Sequence, residues 1–301
     1  MHDLIVLGGG PTGLAATMYG IKKRLDVLLI APNLLGKARY RAQFPFAERY
    51  QAITGWDTAD RFASEVGYLD FARADDETER VEAIDGGYAV YTHSGQRHDA
   101  TAIIVATGAS GRRLNVPGEH EFSGRALAYS TILYAHLCLD RQVTVIGGGA
   151  RALRGAAELI KVVRHVHLVA PGEIDRSLPL ADRLLQAKNA TILEGYDVVE
   201  VFGDRFARGV VLSRDEERKK LEADATFVEL QLVPDSELVA HLVDRDENGH
   251  IKVDCANRTS RPGIFAAGAV TDVVTELVMI AIGEGAQAAL SAHTYLLSQP
   301  D

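Results

Sequence analysis

Apolar and polar positions along this chain follow a pattern that occurs twice. From Asp3 to Pro32 the sequence reads DLIVLGGGPTGLAATMYGIKKRLDVLLIAP, from Gln142 to Pro171 it reads QVTVIGGGARALRGAAELIKVVRHVHLVAP, and the two superimpose without a gap. In each, an apolar run of strand length ends at three glycines, a stretch with helical spacing follows, and a second β-branched run closes the unit. Gly8, Gly10 and Gly13 complete G-x-G-x-x-G in the first copy, with Pro11 and Thr12 between them. Gly147, Gly149 and Ala152 complete G-x-G-x-x-A in the second, with Ala150 and Arg151 between. Such glycines let the backbone turn tightly and approach a pyrophosphate, whose charge meets free N–H groups and the positive end of the helix dipole. One such turn is weak evidence. Two of them predict an α/β fold with two Rossmann-like dinucleotide-binding domains, or two such units of which only one still binds a nucleotide.

Between the copies, Arg80 to Ile84, Tyr88 to Thr92 and Thr101 to Thr107 have the short β-branched character of strands broken by Gly and Asp turns. Gly108 to Pro117 reads as a link. After the second copy, Pro234 to Asn248 is charged and loop-like, whereas Ile251 to Asp254 and Gly263 to Gly268 read as a return to the first domain, and Thr275 to Leu297 has the spacing of one long helix. The second domain is thus expected to be inserted into the first, with residues 1–112 and 244–301 forming a discontinuous unit around residues 116–241.

Composition narrows the function. A chain of 301 residues suits two domains of ordinary size, and a net charge of -9 with a pI near 5.6 argues against a nucleic-acid partner. No apolar run approaches the roughly 20 residues that span a bilayer, and a first strand beginning at Asp3 leaves no room for a signal peptide, so a soluble cytoplasmic protein is expected. Cys138 and Cys255 form neither a disulfide framework nor a metal-ligand spacing and read as core thiols. His165 and His167 share one face of a strand, but two histidines without a third ligand predict no metal site. Ser110, in Gly-Ala-Ser-Gly, misses the nucleophile elbow.

Several motifs, in order, carry a family resemblance: GGGPTG, IIVATGAS (Ile103 to Ser110), LNVPGEHEFSGR (Leu114 to Arg125), the second GGG, RPGIFAAGAVTD and IGEGAQAALSA. Over nearly its whole length the chain resembles a low-molecular-weight thioredoxin reductase. The resemblance implies FAD in the first unit, NADPH in the inserted unit, a Cys-x-x-Cys that passes electrons to thioredoxin, and a homodimer. It places the FAD pyrophosphate near Gly8, Gly10 and Gly13, with further contacts around Thr107, Gly108 and Gly268.

The departures from that family fall on the chemistry. Ser130-Thr131-Ile132-Leu133, then Tyr134, stand where the resemblance places the Cys-x-x-Cys and its following acid, and neither Ser130 nor Leu133 can form or attack a disulfide. Tyr134 reads as a packing aromatic in preference to a proton donor. Where the family has arginines for a 2′-phosphate, Val169 leads to Ala170-Pro171-Gly172-Glu173, which disfavours NADPH and leaves NADH, an adenine nucleotide or nothing. Arg151 and Arg154 are a counter-signal, able to meet phosphate or simply to face solvent. Around the flavin, the family's Gly-Gly-Gln becomes Gly36-Lys37-Ala38, its Asn becomes Ala52, its Gly-Asp becomes Gly268-Ala269, and its Arg-Gln-Val becomes Glu276-Leu277-Val278. Each lost polar group removes about 0.5–1.5 kcal/mol of net hydrogen bonding. Lys37, Arg39 and Arg41 form a basic cluster that suits a solvated loop, the FAD phosphates or an acidic redox protein.

The sequence therefore predicts an FAD-dependent oxidoreductase of thioredoxin-reductase fold without a redox disulfide, passing electrons from the flavin to a small-molecule or redox-protein acceptor. Its alternative is a non-catalytic protein that binds flavin or an adenine nucleotide as a structural or sensing ligand.

Overall fold

A computed structural model describes residues 1–47, 55–272 and 276–299. Ala52 lies outside the described residues. The chain starts with strand β1 (His2–Leu7), helix α1 (Pro11–Lys22) and strand β2 (Val27–Ile30), the first predicted copy. Helix α2 (Trp56–Gly67), a two-residue strand β3 (Arg73–Ala74) and the strands β4 (Thr78–Ile84), β5 (Gly87–Thr92) and β6 (Arg97–Val105) follow. The strand β7 (Ala109–Gly111) leads into the inserted unit.

There, α3 (Glu119–Phe122), β8 (Leu127–Ala128) and α4 (Thr131–Tyr134) precede the second copy, which comprises β9 (Gln142–Ile146), α5 (Ala150–Leu159) and β10 (His165–Ala170). Next come α6 (Pro179–Leu185), β11 (Ala190–Glu194), three longer strands β12 (Asp197–Gly203), β13 (Ala207–Arg214) and β14 (Glu217–Glu222), then β15 (Ala225–Val228) and β16 (Leu232–Pro234). The chain closes with β17 (Ile264–Ala266) and α7 (Val278–Leu296).

In the first unit the sheet order is β3-β2-β1-β6-β5-β4, with β17 also pairing β6, and β1 is parallel to both β2 and β6. Side chains alternate across β1. Leu4 and Val6 join a buried cluster with Leu14 and Ala16 of α1 and Ala288, Ala289 and Ala292 of α7, while Ile5 and Leu7 join one on the opposite face with Val90 and Ile251. A parallel sheet has both faces covered, which is why β1 and β2 read as continuous apolar runs. The inserted unit repeats this with β11-β10-β9-β15-β8, and β12, β13 and β14 form a separate antiparallel sheet.

Both units therefore have the α/β, Rossmann-like form that the repeat predicts, but two boundaries differ. The first unit resumes at Val233 and not near residue 244. The charged stretch after Pro234 hides Leu238, Val239 and Val243 among its polar residues, and these are buried in the first unit's core. Residues 40–47 group with the inserted unit. Phe44 is the reason: its ring lies 5.4 Å from Tyr134 and 6.0 Å from Phe227. Ile251 to Asp254, read as part of the return to the first domain, does lie in the first unit and makes isolated bridges at Ile251.

Candidate functional site

In the first unit the three glycines of the turn have different physical explanations. Gly8 has φ +105, and a Cβ there would lie 2.4 Å from the Ala106 carbonyl oxygen; a Cβ on Gly13 would lie 1.8 Å from the Gly8 oxygen. Both are glycine because the backbone and packing demand it. Gly10 is not so constrained. Its backbone is extended (φ -69, ψ 178) and no protein atom lies within 4 Å of where its Cβ would be. The space beside Gly10 at the start of α1 is therefore open, as the approach of a pyrophosphate to a helix start requires.

The other expected positions gather at the same end of the sheet. A Cβ on Gly8 would also lie 2.9 Å from the Thr107 Cα. The Thr107 hydroxyl donates to the Asp235 carbonyl (2.5 Å), and the Asp235 N–H donates to that of Gly108 (2.9 Å). Gly268 (φ +78) packs against buried Thr12, whose Oγ1 would be 2.3 Å from a Cβ there, and its N–H donates to Glu284 (2.8 Å), a half-buried carboxyl whose pKa is raised by burial. Ala269, half-buried, follows. Gly36 sits against Gly10 at the start of a tight turn, Gly36–Arg39, in which Ala38 is buried.

Two of the family departures turn out to be one feature. The Lys37 Nζ lies 2.5 Å from Glu276 Oε1, so the new cation and the new anion neutralise each other, beside Leu277 and Val278 at the start of α7. Lys37 thus belongs to an ion pair within its own unit and is not simply one member of a basic cluster.

The second turn repeats the logic of the first. Gly147 has φ +142 with a would-be Cβ 2.5 Å from the Glu229 carbonyl oxygen; Gly149 is extended (φ -89, ψ -174) with nothing within 4 Å; Ala152 is fully buried where Gly13 stands in the first copy. The Asp175 N–H donates to the Gly148 carbonyl as the Leu35 N–H does to that of Gly9. Ala150 is exposed at the start of α5. The backbone geometry of the first turn is thus repeated in the second.

What flanks it differs. Beyond the end of β10, Glu173 is 89% exposed and 3.7 Å from Arg176, which also pairs with Glu194 at 2.5 Å. Glu194, opposite Ala170 in the sheet, accepts from the Ile174 N–H (2.8 Å), and Arg176 holds its carboxyl below the usual range. Two carboxylates share one guanidinium here. On the other side, Arg151 is half-buried and paired. Its Nη2 lies 2.7 Å from Glu229 Oε2 and donates to the Tyr129 carbonyl (3.2 Å). Arg154 is the exposed one.

Glu229 is a buried charged residue beside the second turn that the sequence reading did not single out. It is 4% exposed, and its Oε1 accepts from the Thr131 N–H (2.5 Å) and hydroxyl (2.7 Å). Burial pushes its pKa up, and Arg151 and Thr131 oppose that. Removing one partner from such a buried pair costs about 3–5 kcal/mol. The readable signal was a lone acid in the apolar run TFVELQLV.

Thr131 fixes the segment in which the resemblance would place a Cys-x-x-Cys. It is 1% exposed and packs on Gly155 of α5, where a Cβ would lie 2.3 Å from its hydroxyl. Ser130 and Leu133, both half-buried, flank it, and the buried Tyr134 accepts at its hydroxyl from the Ala42 N–H (2.9 Å). Tyr134 is a packing aromatic. Cys138 is buried, with its thiol pKa pushed up to about 12 by burial, and Cys255 is exposed; the latter is not a core thiol. The His165 and His167 rings stack at 4.6 Å, and among the described residues no group of three or more potential ligands gathers around a metal position. No helix of the described residues is long and apolar enough to cross a membrane.

Comparison with known proteins agrees with this geometry. Residues 2–285 match the family model "Pyridine nucleotide-disulphide oxidoreductase". Among curated proteins, one from Staphylococcus aureus (strain MSSA476), the alkyl hydroperoxide reductase F subunit, is 31% identical over 305 aligned positions, covering 98% of this chain and 59% of that protein. The chain thus spans about three-fifths of the length of the curated relatives it matches. Among solved structures, thioredoxin reductase from Streptococcus pyogenes MGAS5005 superimposes with a TM-score of 0.89 at 25% identity over 99% of each chain. That of Giardia duodenalis, at 23% identity, shares the fold with a TM-score of 0.88 over 98% of this chain and 99% of that one. This chain belongs to the pyridine nucleotide-disulphide oxidoreductase family, whose members are FAD-dependent and bind nicotinamide nucleotides.

Proposed function

We propose that this member of the pyridine nucleotide-disulphide oxidoreductase family delivers electrons from its flavin directly to an acceptor and is not a thioredoxin reductase. Bound FAD supplies the two-electron chemistry; the protein supplies binding, orientation and electrostatics. On this reading Gly8, Gly10, Pro11, Thr12 and Gly13 hold the pyrophosphate at the start of α1. Thr107, Gly108 and Gly268 border it, and Gly36, Lys37, Ala38, Ala269, Glu276, Leu277 and Val278 lie toward the flavin ring.

The observation that carries the proposal is the clamp on Thr131. Disulfide exchange requires an accessible thiolate. Here Ser130 and Leu133 occupy the segment, Thr131 is tied to Glu229, and the nearby Cys138 thiol is buried with a pKa near 12. The acceptor on this reading is a quinone, oxygen, another small molecule or a small redox protein, and the protein works as a homodimer. NADPH is disfavoured relative to NADH because Glu173 and Glu194 share only Arg176. A non-catalytic flavin- or adenine-nucleotide-binding role is the second reading, favoured by the Lys37–Glu276 pair, which spends two polar side chains on each other.

The test combines ligand identity with activity. The purified protein is expected to show a flavin spectrum and release FAD by mass, to transfer electrons from a reductant to a quinone or oxygen, and to reduce thioredoxin or small disulfides no faster than background. Disulfide turnover that disappears in Cys138→Ser would overturn the proposal, and release of an adenine nucleotide without flavin would select the second reading.

A further inference from the structure

The repeat that gives the two units one fold fills one row of each parallel sheet with opposite chemistry. In the first unit Leu28, Ile5 and Ile103 are register partners across β2, β1 and β6, and all three lie in one buried apolar cluster. The same row of the inserted unit runs His167, Thr144 and Thr226 across β10, β9 and β15. The fold therefore accepts hydrocarbon at all three places, and the inserted unit carries polar groups there instead. Thr144 is 0% and Thr226 1% exposed. Both hydroxyls and the His167 Nδ1 are buried without a hydrogen-bond partner in the protein. The next place in the row is settled differently, because Oγ1 of Thr191 on β11, the register partner of His167, lies 2.9 Å from His165 Nε2.

A buried polar atom without a partner is costly, and three on adjacent strands of one row mark a place where something other than protein supplies the bonds. Neighbouring strands lie about 4.8 Å apart. A water about 2.8 Å from each of two atoms at that spacing meets them near its own tetrahedral angle. Hydroxyls and a neutral imidazole can each donate or accept, so water fits between either pair whichever way the hydrogens point. A metal cation does not fit, since the titratable groups acting on His167 are His165 and Lys219, both basic. We infer that ordered water occupies this row, one molecule on each side of the Thr144 hydroxyl, joining Thr226 to Thr144 and Thr144 to His167. The inserted sheet is hydrated inside where the first sheet is filled with hydrocarbon, and this holds whatever either glycine turn binds.

The experiment pairs magnetic relaxation dispersion of the water signal, which counts long-lived internal waters, with urea unfolding of the full chain. Thr144→Val keeps the shape of the side chain and removes the hydroxyl that both waters share, so it is expected to lose long-lived waters and to lower the unfolding midpoint. Thr226→Val is expected to lose fewer and to lower the midpoint less. The double variant Thr144→Val/Thr226→Val is expected to unfold no earlier than Thr144→Val alone, because the water that Thr226 holds has already gone. Thr144→Ser keeps the hydroxyl and is expected to retain the waters. Should Thr144→Val fail to fold, Thr226→Val reads the same loss from the other end of the row. An unchanged count of long-lived waters in the folded valine variants overturns the inference, and so does a raised midpoint, which is what a hydroxyl with no partner at all predicts.

Discussion

The two glycine turns meet the same backbone requirements and differ in what surrounds the bare glycine. Around Gly10, the chain brings together Thr107, Gly108, Gly268 and a tight turn at Gly36, with the charged pair Lys37–Glu276 partly exposed. Around Gly149 it brings a buried ion pair and a fully partnered carboxylate. A glycine turn reports a backbone requirement and open space at a helix start, and nothing more.

The sharpest way to break that comparison is to fill each bare position. Gly10→Val is expected to lower flavin occupancy at least a hundredfold while leaving the fold intact, because no protein atom stands within 4 Å of the new Cβ and the backbone is already extended. Gly149→Val is expected to leave flavin unchanged. Absorbance and circular dichroism of both variants check this, and flavin retained in Gly10→Val contradicts the assignment of the first cradle.

A second contrast lies in the paired strands, where Leu28 of the first copy corresponds to His167 of the second. Burial, then the neighbouring His165 and Lys219, push the His167 pKa down to about 4. The folded state keeps this ring neutral while the unfolded chain protonates it below about pH 6.5, so stability is lost as pH falls from about 6.5 to about 4 and is flat below. After discounting for partial exposure the loss is on the order of 2 kcal/mol. His167→Leu is expected to flatten that stretch of the stability profile, measured by denaturant unfolding; an unchanged profile places the acid sensitivity elsewhere.

The smallest effect is expected at Lys37 and Glu276. With the lysine largely exposed, a double-mutant cycle should give a coupling below about 1 kcal/mol that weakens with salt. A much larger coupling in flavin affinity would mean that the pair acts on the bound ring.

Those contrasts also mark what the sequence made legible. The glycine turns, β1, β2, β9 and β10 were readable because their determinants are local, a period of apolar residues and a fixed glycine spacing. The ties among Glu229, Arg151 and Thr131 were not, because they join residues up to 98 positions apart that only sheet order brings together. The Lys37–Glu276 pair, 239 positions apart, escaped for the same reason and looked like two separate losses. The early return at Val233 was hidden by charge, since Leu238, Val239 and Val243 are spaced among residues that read as loop.

The hold on α4 also limits what a pair of substitutions can install there. Putting cysteines back at positions 130 and 133 restores two side chains but not a relay, because Thr131 remains fastened to Glu229 through both its N–H and its hydroxyl and Tyr134 remains fastened to Ala42. Releasing Thr131 by removing Glu229 leaves Arg151 without its buried partner, at a cost of about 3–5 kcal/mol. The clamp thus couples the mobility of α4 to the stability of the buried Glu229–Arg151 pair.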